Sequence, residues 1–173
     1  MSVGVVLGRF QPLHLGHCAL IRTAAEENNH LMVLVGSSKA PPSPKNPYCY
    51  QCRYKMISEV FPQANISGIP DFPGDDAKWV EAISNVVGSL NGVVFYGNNK
   101  DASTYYLFDL LSKVFPVKHV EITHEGLSGT STRGAIFAGE KHKYPHMLPP
   151  EVIKIVEGKV NVPVRCCSIG NTL

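Results

Sequence analysis

Gly8-Arg9-Phe10-Gln11-Pro12-Leu13-His14-Leu15-Gly16-His17 is the stretch on which the fold turns. Ahead of it, Val3 to Leu7 is an apolar run of strand length. Behind it, Cys18 to Glu27 carries Ala19, Leu20, Ala24 and Ala25 at helical packing positions. The glycines and histidines therefore fall at a strand-to-helix turn, at the carboxyl end of the first strand. Ligands bind there in open α/β sheets.

The chemistry of the turn points to phosphate. A helix start offers unpaired N–H groups and a partial positive charge. His14 and His17 are three apart and can face one way from the first helical turn. Gly16 lets a ligand approach the backbone, Arg9 adds forked donors, and Pro12 cannot continue the strand. Two imidazoles, a guanidinium and a helix start make a clamp for polyphosphate, with no nucleophile among them. The plainer alternative is a histidine pair that merely caps a helix.

Gly8-Arg9-Phe10-Gln11-Pro12 followed by His14-x-Gly16-His17 resembles the signature of the HxGH nucleotidyltransferase superfamily. The prefix is most like that of nicotinamide mononucleotide (NMN) adenylyltransferases of the archaeal type and of their bacterial relatives fused to a Nudix domain. HxGH alone also admits pantetheine-phosphate adenylyltransferases, cytidylyltransferases and FAD synthetases.

Composition bounds the alternatives. The 173 residues suffice for one domain with a real core. A hydrophobic share of 44% against 17% charged argues for a folded rather than a disordered chain. The formal charge of +2 includes no basic tract, which argues against nucleic acid as a partner. No apolar run approaches the ~20 residues that cross a bilayer, and the N-terminus lacks a signal-peptide pattern. A cytoplasmic protein with no membrane contact is expected. Five cysteines, an odd number, fit reduced thiols there. A zinc site from Cys49-x-x-Cys52 and Cys166-Cys167 is disfavoured, since adjacent cysteines rarely both ligate one tetrahedral metal. Pro145 spoils His142 and His146 as a helical ligand pair, so both are expected at the surface.

Along the chain, apolar runs alternate with helical stretches. Strands are expected at Val3–Leu7, Leu31–Val35, Ile66–Ile69, Val93–Tyr96 and Val117–Ile122. Helices are expected near 16–27, 50–60, 77–88, 102–113, 131–138 and 150–157. This alternation predicts an α/β fold: a Rossmann-like doubly wound parallel sheet of about five strands with helices on both faces. A single domain over 1–173 is expected, with a core at about 3–138 and a C-terminal helical segment at about 139–173. Neither GxxxxGK[ST] nor GxGxxG occurs, so nucleotide binding rests on the HxGH turn.

Later segments extend the resemblance. The proline-rich stretch Gly36 to Tyr48 resembles a family loop that lines the mononucleotide pocket, implying contacts from Ser37, Asn46 and Tyr48. The next helix keeps the family arginine as Arg53, a structural or phosphate contact that the resemblance puts with Asp71 on the NMN side, but has Cys49 and Cys52 where Thr and Glu usually form a capping box. That substitution predicts a helix start weaker by ~1 kcal/mol. Asp71 and Trp79 match a Pro-Asp motif followed by tryptophan. The indole face suits a pyridinium ring, although a core tryptophan is the alternative. Gly97, Lys100 and Asp101 follow the fourth strand and are assigned to ATP. Leu127-Ser128-Gly129-Thr130-Ser131-Thr132-Arg133 resembles the family's Ile-Ser-x-Thr-x-x-Arg. Arg133 in a first helical turn opposes the helix dipole, a placement that makes sense beside an anion. Gly134 replaces the usual second arginine.

The resemblance covers about residues 3–157 and implies the reaction NMN + ATP → NAD + pyrophosphate. His14 and His17 would hold the ATP phosphates, with His17 at the α-phosphate. Arg9 and Arg133 would hold the β and γ oxygens, helped by Ser128 and Thr130, with Gly8, Phe10 and Gly16 lining the ATP side. Mg²⁺ is expected on the triphosphate, with ATP and NMN as the small-molecule partners. A homo-oligomer and an adenylyltransferase module standing alone, without Nudix, are expected. The alternatives are another HxGH nucleotidyltransferase or a non-catalytic nucleotide sensor.

Overall fold

A computed structural model of the chain describes residues 1–88, 90–98, 102–122 and 126–160. Its elements are β1 (Val3–Gly8), α1 (Leu15–Glu26), β2 (His30–Val35), α2 (Tyr50–Val60), β3 (Asn65–Gly68) and α3 (Asp76–Val87). They continue with β4 (Val93–Gly97), α4 (Ala102–Ser112), β5 (Val117–His119), α5 (Gly129–Phe137), a 3₁₀ turn (Lys141–His146) and α6 (Pro150–Val156).

The five strands form one parallel sheet in the order β3-β2-β1-β4-β5. Sequence order runs outward from β1 in one direction, then jumps back across it to β4. The carboxyl ends of β1 and β4 therefore flank the point where the winding reverses, the crevice such sheets reserve for ligands.

Both sheet faces are covered, which explains the unbroken apolar strand runs. Val3 and Val5 point to one face, with Met32, Leu34 and Phe95, beneath Ile83 and Val87 of α3 and Phe108 and Leu111 of α4. Val6, Val33, Val35 and Tyr96 point to the other, under Leu20, Ile21 and Ala24 of α1 and Met56 and Ile57 of α2. Val152 and Ile155 of α6 join this second cluster. Each such side chain, fully buried, contributes about 1.5–3 kcal/mol. Gly4 lets α1 lie close on β1, because a Cβ there would sit 2.6 Å from the Ala24 carbonyl oxygen.

Two expectations are corrected. β5 stops at His119 instead of Ile122: it is an edge strand, and β4 ends at Gly97, whose carbonyl takes the last bond, from Val120 N–H at 2.8 Å. The turn at Lys141–His146 was not expected as an element; Pro145 permits it as a short 3₁₀ segment. His142 and His146 are exposed as expected. No helix among the described residues is long and apolar enough to cross a membrane.

Candidate active site

His14 is the N-cap of α1, and the two histidines cap one another. The His17 N–H donates to His14 Nδ1, and the His14 N–H donates to His17 Nδ1, each at 3.3 Å. Their rings stack at 3.6 Å between centroids and 19° between planes. An Nδ1 that accepts cannot carry a proton, so each neutral ring holds its hydrogen on Nε2. The cap thus fixes the tautomer that leaves Nε2–H as the donor of each ring. Glycine fits best at position 16, since a Cβ would lie 3.1 Å from His14 Cε1 and would press the ring aside by a few tenths of an ångström.

Phe10, expected on the ATP side, borders the cavity at this turn but is 1% exposed and serves mainly as a floor. Its ring packs edge-on against His17, 4.9 Å between centroids. A Cβ at Gly8 would come within 3.0 Å of that ring. The turn is drawn tight, with Phe10 at a φ of 50° and a cis Gln11–Pro12 bond.

Arg133 arrives from the far end of the chain. Ser128 caps α5, accepting from the Ser131 N–H at 3.0 Å, and so serves its own helix. One turn in, the Arg133 guanidinium donates from Nη1 to the Gln11 carbonyl at 3.0 Å and from Nη2 to Thr130 Oγ1 at 3.2 Å. Burial first, then the neighbouring Arg9 charge, push its pKa below the usual arginine value. Two neighbouring guanidinium groups on one cavity favour an anionic ligand there. Arg9, His14, His17, Ser128, Thr130 and Arg133 border one cavity of about 420 Å³, with Gly8, Gly16 and Gly97.

The same cavity extends to Ser37, Asp71 and Trp79. Ser37, at a φ of 50°, donates from Oγ to Asp71 Oδ1 at 3.0 Å. Trp79 is half-buried, packed against the core under α3 and bordering the cavity.

Arg53, expected to contact NMN, is instead 1% exposed and committed to the backbone. Its Nη1 donates to the carbonyls of Arg9 (2.8 Å) and Gly36 (2.7 Å), its Nη2 to Ser37 (3.0 Å), and its Nε to Cys49 (3.4 Å). Desolvation pushes its pKa down to about 10. Arg53 ties the β1–α1 turn to the loop after β2, and it does not border the cavity. Asn46 and Tyr48 do not border it either. The Asn46 N–H closes a local turn onto Ser43, and Tyr48 bonds through its main chain to Gln11. The Tyr48 phenol is desolvated, which raises its pKa above the usual value. Gly97 borders the cavity, and its lack of a side chain is demanded by Phe108, whose ring a Cβ there would overlap. Lys100 and Asp101 lie outside the described residues.

The α2 start lacks a side-chain cap on Cys49, as its sequence implied. Cys18 and Cys49 are free thiols, and burial raises Cys18 to about 12. Cys52 is in a disulfide, which corrects the expectation of reduced thiols throughout. Sequence reasoning gave no role to the side chains of Gln11, Asn98, Thr104 or Phe108, all of which border the cavity.

A Cytidylyltransferase-like family model matches residues 5–74, from β1 through the loop ahead of α3. The nicotinamide/nicotinic acid mononucleotide adenylyltransferase of Acinetobacter baylyi is 32% identical over 147 residues, covering 79% of this chain and 76% of its own. The nicotinamide-nucleotide adenylyltransferase of Methanolobus tindarius is 29% identical over 161 residues, covering 87% and 85%. A crystal structure of a bifunctional NMN adenylyltransferase/ADP ribose pyrophosphatase from Francisella tularensis superposes with a TM-score of 0.68 at 24% identity, and supports the fold. It covers 80% of this chain, which spans 42% of that longer protein. With the histidine turn, the Arg133 segment and these relatives in agreement, the chain belongs to the nicotinamide-nucleotide adenylyltransferase family.

Proposed function

We propose that the protein transfers the adenylyl group of Mg²⁺-bound ATP to NMN, forming NAD and pyrophosphate. The observation that carries this reading is the meeting of Arg133 with the stacked His14–His17 pair on one cavity. The NMN phosphate attacks the α-phosphorus of ATP, a P–O bond forms to it, and the bond to the β-phosphate breaks with its electron pair leaving on pyrophosphate. A phosphate monoester is largely dianionic at neutral pH, its second pKa being about 6, so no base is needed. The tautomers fit this: both Nε2 atoms donate, stabilising charge on phosphoryl oxygens without abstracting a proton. His17 is assigned to the α-phosphate, with His14, Arg9, Arg133 and Thr130 on the other phosphate oxygens. Ser37, Asp71 and Trp79 form the acceptor end. Mg²⁺ rides on the triphosphate as part of the substrate.

The test is incubation with ATP or CTP and a panel of NMN, phosphopantetheine, phosphocholine and FMN, reading pyrophosphate and the product nucleotide. NAD from ATP and NMN is expected. Pyrophosphate released only with another acceptor would overturn the substrate assignment, and none with any acceptor would overturn catalysis.

A further inference from the structure

Gln11 lies between Phe10 and Pro12, and nothing above assigns its side chain a part in the reaction. It is 3% exposed. Its Nε2–H donates to the Tyr48 carbonyl at 2.8 Å, and its Oε1 accepts from the Tyr48 N–H at 2.9 Å. One amide thus satisfies both main-chain groups of a residue 37 positions away, as a neighbouring strand would. Its own carbonyl accepts from Arg133 Nη1. At the other end of the same loop, Arg53 holds the Gly36 and Ser37 carbonyls. The segment from Gly36 to Tyr48 is therefore fastened to the histidine turn twice, by Arg53 where it leaves β2 and by Gln11 where it enters α2.

We propose that Gln11 is a positioning residue that sets the acceptor side of the cavity against the triphosphate side. Its side chain fixes the loop that carries Ser37, and its main-chain carbonyl aims Arg133. This rests on the adenylyl-transfer reading above. In-line displacement needs two anions held close and aligned, so a residue fastened to both halves controls their spacing. Only a side chain of this length with one donor and one acceptor can pair both groups of Tyr48. Methionine matches the length and offers neither. Glutamate keeps an acceptor for the Tyr48 N–H but turns a second acceptor oxygen on the Tyr48 carbonyl.

The two halves can be separated, because a side-chain substitution leaves the carbonyl that holds Arg133. Gln11→Met, which loses both hydrogen bonds to Tyr48, is expected to raise KM for NMN roughly tenfold, and Gln11→Glu, which keeps the one from the Tyr48 N–H, is expected to raise it by less. KM for ATP should stay within about twofold and kcat within about threefold, given the intact main-chain contact. Partial unfolding lowers the active fraction without moving one KM alone, so the split is specific to positioning. Amide exchange on the unliganded protein gives a second measure: Tyr48 protection should fall in Gln11→Met while that of Gly36, bonded to Gly8, is kept. A wild-type protein that makes no NAD overturns the transfer reading and this proposal together. An active wild type whose variants keep the NMN KM, lose both KM values equally, or keep Tyr48 protection overturns this proposal alone.

Discussion

Replacing Arg53 by methionine removes a buried guanidinium whose donors reach four main-chain carbonyls, three of them within 3.0 Å. Each carbonyl left dry costs about 1–3 kcal/mol. Relief of the buried charge offsets part of that, as the lowered pKa of the group indicates. A net loss of ~3 kcal/mol is expected, and for a domain of this size that lowers Tm by roughly 6–12 °C. The Arg9 turn and the Ser37 loop lose their common tie, so KM values should rise for both substrates. Arg53→Lys should fall between wild type and Arg53→Met, since an ammonium is a point donor without the fork. The assay is thermal unfolding by circular dichroism on unliganded protein, beside initial-rate kinetics. A Tm within about 2 °C of wild type, with only NMN binding weakened, would refute the structural role. It would return Arg53 to the substrate.

Further outcomes follow from other contacts. Trp79, the chain's only tryptophan, should change its fluorescence on titration with NMN, and a flat titration would make it a core residue only. Gly97→Ala should cost roughly 1–3 kcal/mol through overlap with the Phe108 ring, read as a lower Tm; an unchanged Tm would show that α4 yields freely. Glu27 accepts from Lys118 Nζ and Tyr96 Oη, and these bonds hold its pKa below the ordinary 4.5. Its stabilisation is present above that value and is lost as pH falls through the depressed one. Glu27→Gln should therefore flatten the acid-side decline of Tm, and an unaltered decline would dismiss the pairing.

Much of this was legible in the sequence because it is encoded locally. The apolar runs around β1 and β4, the glycine and histidines of the first turn and the Ser128–Arg133 segment each announce themselves within a few residues. So the parallel sheet and the two segments that border the cavity could be placed from local sequence alone. What escaped depends on pairing across the chain. Arg53 reads as a phosphate ligand because a sequence shows its charge and hides the carbonyls that satisfy it. Tyr48 and Asn46 sit in a loop that borders the acceptor side, yet they turn toward Gln11 and Ser43. Phe10 stands inside the signature but supports His17 from below. The end of β5 was misplaced because an edge strand stops where its partner stops, which its own sequence does not record.

The most direct measurement is the kinetic effect of His17→Ala with saturating NMN and varied ATP. A donor that acts on charge developing at the α-phosphate should cost on the order of 10²–10³ in kcat while KM for ATP moves only a few-fold. A kcat within a few-fold of wild type would contradict the clamp, whatever happened to KM.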